Sequence, residues 1–128
     1  MKEIIFTENA PEPIGPYSQA VKLGNLLFLS GQIGIDPGTG NLVKDGISAE
    51  TRQIMSNIRA ILDEENLTFE NVIKTTIFLT NRSNFAKMNE VYRSYFTKNF
   101  PARSTFIISG MALPEMLIEI ESIGYLPK

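Results

Sequence analysis

Two stretches of this chain carry helical spacing, and two helices can cover only one face of a sheet. The first stretch runs from Ser48, a residue suited to cap a helix, to about Glu65. Its Ile54, Ile58, Ile61 and Leu62 recur at the spacing of one apolar helix face. The second runs from Ser83, another capping residue, to about Asn99, with Phe85, Met88, Tyr92, Tyr95 and Phe96 as its buried stripe. Pro101 stops any continuation.

The remaining patterned segments are strands. Ile4 to Phe6 is a short first strand, and Ser18–Leu23 and Leu26–Gly31 flank Gly24-Asn25, a two-residue hairpin signal. Val72 to Leu79 is β-branched and apolar. Arg103–Ile108 and Leu117–Tyr125 are the last two strands. Ala10 to Pro16 is too rich in proline for regular structure, and Asp36 to Gly40 is a turn-rich loop. The order βββ-α-β-α-ββ predicts an α+β fold with a mixed sheet. Helices between strands act as crossovers and make parallel pairs; the hairpins make antiparallel ones. The sheet face left bare needs a partner, and self-association is the usual solution. No repeat or linker divides the 128 residues, which predicts one domain over 1–128.

The chain has no histidine and no cysteine. Ser-His-Asp and Cys-His nucleophilic machinery is therefore absent, as are the ordinary zinc, copper and iron–sulfur ligand sets. No cluster of Asp and Glu marks a magnesium site, so neither a metal nor a cofactor is expected. Catalysis must use Glu, Asp, Arg, Lys, Tyr, Ser, Thr, backbone groups and water. The formal net charge is −2 and no basic block occurs, so nucleic acid is not an expected partner. No apolar run reaches the ~20 residues of a membrane helix. The N-terminus turns polar after Phe6 and lacks the apolar stretch of a signal peptide, which fits a cytoplasmic location.

Four segments hold candidate chemistry. Pro101-Ala102-Arg103-Ser104-Thr105 opens a strand with an arginine, whose planar fork can grip a carboxylate through two hydrogen bonds. The ordinary alternative is a surface salt bridge. Ile118-Glu119-Ile120-Glu121 puts two carboxylates on one strand face, where one can polarise water or shuttle a proton; the alternative is a solvated face. Tyr17 enters a strand from a loop and can close a pocket or simply pack. Ser30-Gly31 ends a strand, and Gly31 would let a ligand approach the backbone N–H, or would only mark a turn.

Read together, these segments resemble the RidA/YjgF family of reactive-intermediate deaminases. The similar blocks are Ile-Gly-Pro-Tyr-Ser-Gln-Ala-Val (14–21), Leu-Phe-Leu-Ser-Gly-Gln-Ile (27–33) with Asp-Pro-Gly-Thr-Gly (36–40), Asn-Glu-Val-Tyr (89–92), Phe-Pro-Ala-Arg-Ser (100–104) and Ile-Glu-Ile-Glu (118–121). They run in order from about Asn9 to Tyr125. The resemblance implies a chorismate-mutase-like fold and a homotrimer with clefts between subunits. It implies hydrolysis of 2-iminobutanoate, 2-iminopropanoate and their enamine tautomers, formed by pyridoxal-phosphate dehydratases, to 2-keto acids and ammonia. It makes Arg103 the carboxylate-binding residue and Glu119 the residue acting on water. Tyr17, Ser30 and Gly31 would line the cleft.

Two features depart from the family pattern. Thr105 stands where many members have a cysteine two residues after the arginine; it keeps a hydrogen-bonding oxygen for the substrate and loses the thiol. The loop at Ser109-Gly110-Met111-Ala112 is longer than usual and would reshape one cleft wall. Two rival functions use the same resemblance. One is a non-enzymatic regulator that binds keto acids. The other is an endoribonuclease or translation inhibitor, against which the pI of about 5.2 and the absence of histidine both argue.

Overall fold

The computed structural model describes residues 1–127; Lys128, the last residue of the expected domain, lies outside the described residues. Among the described residues, eight strands and two α-helices follow one another along the chain. They are β1 (Glu3–Ile5), β2 (Ala20–Leu23), β3 (Leu26–Gln32), β4 (Ile35–Asp36), β5 (Asn41–Leu42), α1 (Gly46–Glu64), β6 (Val72–Leu79), α2 (Phe85–Arg93), β7 (Ala102–Ile107) and β8 (Ile118–Tyr125). Six strands form one sheet in the order β1-β2-β3-β8-β6-β7. Only β6 and β7 pair in parallel, across the α2 crossover; every other neighbouring pair in that sheet is antiparallel. The expected α+β class and mixed sheet are present.

The helices sit where their apolar spacing requires. Ile54, Ile58, Ile61 and Leu62 are each at most 2% exposed. They meet Leu27, Leu29, Ile77, Ile118 and Ile120 of the sheet in one core cluster. Burying each such side chain contributes roughly 1.5–3 kcal/mol.

Several boundaries differ from expectation, each for a local reason. Helix α1 starts before Ser48, because Asp45 and Gly46 enter it with φ of 88° and 85° and no side chain caps it. Ser83 does not cap α2. Instead Asn81 accepts from the Ser83 N–H at 2.8 Å and starts a short 3-10 turn ahead of the helix. Helix α2 ends at Arg93 rather than near Asn99, where the Ser94 hydroxyl takes up the Val91 carbonyl at 2.6 Å. Tyr95 and Phe96 still pack on the core from beyond the helix, whereas Phe85 at its start is 40% exposed. The loop Asp36–Gly40 is the tip of a small hairpin, β4–β5, that strand patterning missed because each arm has two residues.

No helix among the described residues is long and apolar enough to cross a membrane.

Candidate functional site

Two buried amides hold the segments that build the site. Gln19 accepts the Thr7 N–H at 2.8 Å and donates to the carbonyls of Thr7 at 3.0 Å and Pro11 at 2.9 Å. This ties the start of the proline-rich stretch, which cannot pair in a sheet, to the entry of β2. Asn57 of α1 donates to the carbonyls of Ile33 and Ile35 at 3.1 and 3.0 Å, pinning the chain just after β3.

Between those two anchors β3 carries a bulge. Leu29 pairs with Ser122 and Gln32 with Ile120, so Ser30 and Gly31 together lie opposite the single residue Glu121. A bulge of this kind locally disrupts the ladder and is frequent beside active sites. Glu119 reaches over it: a Cβ on Gly31 would overlap the Glu119 carboxylate, its Cδ lying only 2.7 Å from that position. Gly31 therefore serves first as the seat of a carboxylate from the neighbouring strand, a role its sequence position did not reveal. Gly31→Ala should leave the fold intact and displace that carboxylate. Turnover should fall about tenfold, within the range that misplacing a catalytic group by roughly 1 Å can cost; unchanged turnover in a correctly folded variant would separate the Gly31–Glu119 contact from catalysis.

The same concavity, of about 390 Å³, is lined by Tyr17, Ser30, Gly31, Glu119 and Glu121. Tyr17 is held in place by its hydroxyl, which accepts the Ile14 N–H at 3.2 Å. The Ser30 hydroxyl donates to the Ser18 carbonyl at 2.6 Å, so toward a ligand it has only its acceptor side left. Burial, and then the neighbouring Glu121 charge, hold the Glu119 carboxyl above its ordinary range. Such a group is suited to accept a proton. Four apolar residues complete the walls: Ile14, Ile33, Ala112 and Met116. Sequence reading flagged the loop of Ala112 by its length and missed the other three, which carry no polar signature.

Arg103 and Thr105 are not in this concavity. Register fixes the reason. Arg103 pairs with Thr75, and Thr75 with Ser122; the Thr75 hydroxyl bonds the Tyr92 hydroxyl of α2 at 2.7 Å, so this row faces the helices. Glu119 pairs with Phe78, and Phe78 with Phe106, one residue out of phase and therefore on the opposite face. In one protomer the expected arginine and the expected glutamate lie on opposite sides of the sheet.

Arg103 has its own setting. Its guanidinium lies over the rings of Tyr92 at 5.2 Å and Phe85 at 5.8 Å. It lines a shallow depression of about 220 Å³ with Asn89, Tyr92, Arg93, Phe100 and Pro101. Phe85, exposed and outside the core cluster, thus lies against the arginine. Two residues on, along the same face, the Thr105 hydroxyl oxygen is buried without a protein hydrogen-bond partner. Among the described residues no group of three or more His, Cys, Asp or Glu is placed to hold a metal.

The face carrying Glu119 is not covered by a helix. Phe28 and Phe106 on it are 41% and 51% exposed, and Phe106 stacks on Phe78 at 6.0 Å.

Comparison with known proteins gives a consistent set. The family described as endoribonuclease L-PSP matches residues 7–126. A RutC family protein of Pyrococcus horikoshii is 54% identical over 125 residues, 98% of each chain. The human 2-iminobutanoate/2-iminopropanoate deaminase is 43% identical over 125 residues, covering 97% of this chain and 90% of its own. The crystal structure of TdcF from E. coli, with bound serine, superposes with a TM-score of 0.92 at 36% identity, covering 98% of this chain and 99% of that one.

Proposed function

Since the chain belongs to the RidA/YjgF family, described as endoribonuclease L-PSP, we propose that it hydrolyses 2-imino acids, and their enamine tautomers, to 2-keto acids and ammonia. The observation that carries this reading is the half-buried Glu119 carboxylate, seated over the Gly31 backbone in a concavity shared with Tyr17 and Ser30. The human relative named an imine deaminase supports the reaction class. The serine in TdcF is a small ligand with the carboxylate the reading requires.

The reaction balances without a cofactor. An enamine first gains a proton at its terminal carbon and becomes the imine. Arg103 holds the substrate carboxylate in two parallel hydrogen bonds, with Thr105 and the Gly31 N–H beside it. Glu119 takes a proton from water as the water oxygen bonds to the carbon of the N-protonated imine, and the C=N π pair moves to nitrogen, giving a neutral carbinolamine. Glu119 returns that proton to the nitrogen, the C–N bond breaks, and ammonia leaves as the hydroxyl releases its proton to solvent and becomes the keto group. One water is consumed and one ammonia released. Orientation and acid–base help of about 10²–10⁴-fold suffice for an intermediate that also decays unaided.

Because Arg103 and Glu119 lie on opposite faces of the sheet in one protomer, the reading has them meet between copies and includes a homotrimer of chorismate-mutase-like subunits. In this reading their open faces, on which Phe28 and Phe106 are exposed, pack together, and Arg103 on the edge strand β7 of one subunit reaches the concavity of the next. A 2-imino or 2-keto acid is then the small-molecule partner of an intersubunit cleft. An endoribonuclease fits less well, because Glu119 and Glu121 would face a polyanion.

The test couples a threonine dehydratase to the protein and follows imine decay. Decay well above the spontaneous rate is expected, together with three protomer masses in sedimentation equilibrium at micromolar concentration. A monomer would leave Arg103 and Glu119 apart. Keto-acid binding with no acceleration of decay would favour a regulatory binding protein instead.

A further inference from the structure

The Glu119 concavity mixes two chemistries, and the mixture assigns a place to each part of a bound 2-imino acid. Glu119 and Glu121 repel the substrate carboxylate, which must turn toward an arginine. The imine carbon must face the water that Glu119 activates. What remains is the substrate side chain, and the remaining walls are Ile14, Ile33, Ala112 and Met116. An uncharged aliphatic group fits them. A second carboxylate would be desolvated beside two glutamates, which is costly without a cation to pair it.

Two of those walls come from one loop, and its end at Met116 and Leu117 is fixed. Met116 is 1% exposed, and its N–H donates to the Leu113 carbonyl at 3.2 Å. The next residue is held from two sides. The Leu117 N–H donates to Glu50 of α1 at 3.0 Å, and its carbonyl accepts the Thr80 N–H at 3.2 Å. Glu50 itself is only 3% exposed, so this contact is shielded from water. A wall held this way discriminates by size, whereas a mobile one would adapt to larger groups. Ala112, by contrast, is an exposed small residue at the rim of the same concavity.

We propose that Met116 and Ala112 are the specificity-determining residues of this site, setting the length of the uncharged aliphatic side chain that the imino acid carries. The proposal rests on the imine-hydrolase reading above. It gives the two positions opposite predictions: Met116→Ala deepens the concavity, and Ala112→Leu fills its rim.

The experiment measures kcat/KM for imines generated in situ from alanine and from leucine by an amino-acid oxidase, in the parent, Met116→Ala and Ala112→Leu. The readout is the leucine-to-alanine ratio. It should rise by about tenfold or more in Met116→Ala and fall by about tenfold or more in Ala112→Leu, the scale of small size differences in an apolar pocket. A merely structural role would lower both rates together and leave the ratio unchanged. Parent turnover with a ratio that moves in neither variant overturns the proposal and spares the imine-hydrolase reading. No parent turnover on any imine overturns both. Should Met116→Ala fail to fold, Ala112→Leu decides, since its added bulk lies at an exposed position.

Discussion

Glu119→Gln should lower turnover by about 100-fold or more while leaving keto-acid affinity unchanged or slightly tighter, the loss being the usual scale of general acid–base help. Glutamine keeps the size and hydrogen-bonding capacity of the side chain and removes the base and its charge. The pH profile provides a second signature. Burial and Glu121 raise the Glu119 pKa, so the ionised base is lost as pH falls through a value above the ordinary carboxylate range. Turnover in the parent should therefore fall on an acid limb in that region, and the limb should vanish in Glu119→Gln. Stability runs the other way. A carboxyl whose folded pKa is raised favours the fold below its unfolded pKa, and that contribution is lost as pH rises through the folded one. The glutamine variant does not ionise, so at neutral pH it should be at least as stable as the parent, and a thermal melt of both separates lost chemistry from misfolding. Turnover equal to the parent's would remove Glu119 from the mechanism and leave Tyr17, Ser30 or a backbone-held water.

Much of the fold was legible because burial leaves a period in the sequence. Val72–Leu79 is a strand over the expected residues, and the Ile54–Ile58–Ile61–Leu62 stripe is wholly buried. The alternation of Ile118, Glu119, Ile120 and Glu121 likewise places the isoleucines in the core and the glutamates on the open face. Termini were less legible, because their caps involve competing groups close in sequence. Asn81 captured the cap expected of Ser83, and a pair of positive φ angles at Asp45 and Gly46 replaced Ser48. The β4–β5 hairpin has too few residues to show alternation at all.

The site was legible in part, for a different reason. Polar residues in patterned segments announce themselves, and Tyr17, Ser30, Gly31 and Glu119 do line one concavity. What a single sequence does not display is register between distant strands. Only the bulge at Ser30-Gly31 and the pairing of Glu119 with Phe78 explain why Gly31 must lack a side chain. Phe85 and Tyr92 share one helical stripe in the sequence, yet both lie beneath the Arg103 guanidinium, and Phe85 stays out of the core.

Arg103→Lys should fail almost as badly as Arg103→Ala, with kcat/KM down by about 100-fold in each. Lysine keeps the charge but not the planar fork, so one of two charge-assisted hydrogen bonds to the substrate carboxylate is lost, and each is worth roughly 1.5–3 kcal/mol. Lysine also has no flat face to lie over Tyr92 and Phe85, so the remaining contact is poorly positioned. A lysine variant with near-parent efficiency would reduce Arg103 to a general electrostatic role. The opposite-face placement of Arg103 and Glu119 adds a stronger test. If each cleft takes its arginine from one subunit and its glutamate from the next, two inactive proteins contain all the parts of an active one. Arg103→Ala and Glu119→Gln, unfolded together and refolded as a mixture, should regain activity in about one quarter of clefts, the fraction in which both neighbours contribute an unaltered residue. Each variant refolded alone should stay inactive. No recovery in a mixture that forms trimers would mean that one subunit supplies both residues, and the intersubunit cleft would have to be abandoned.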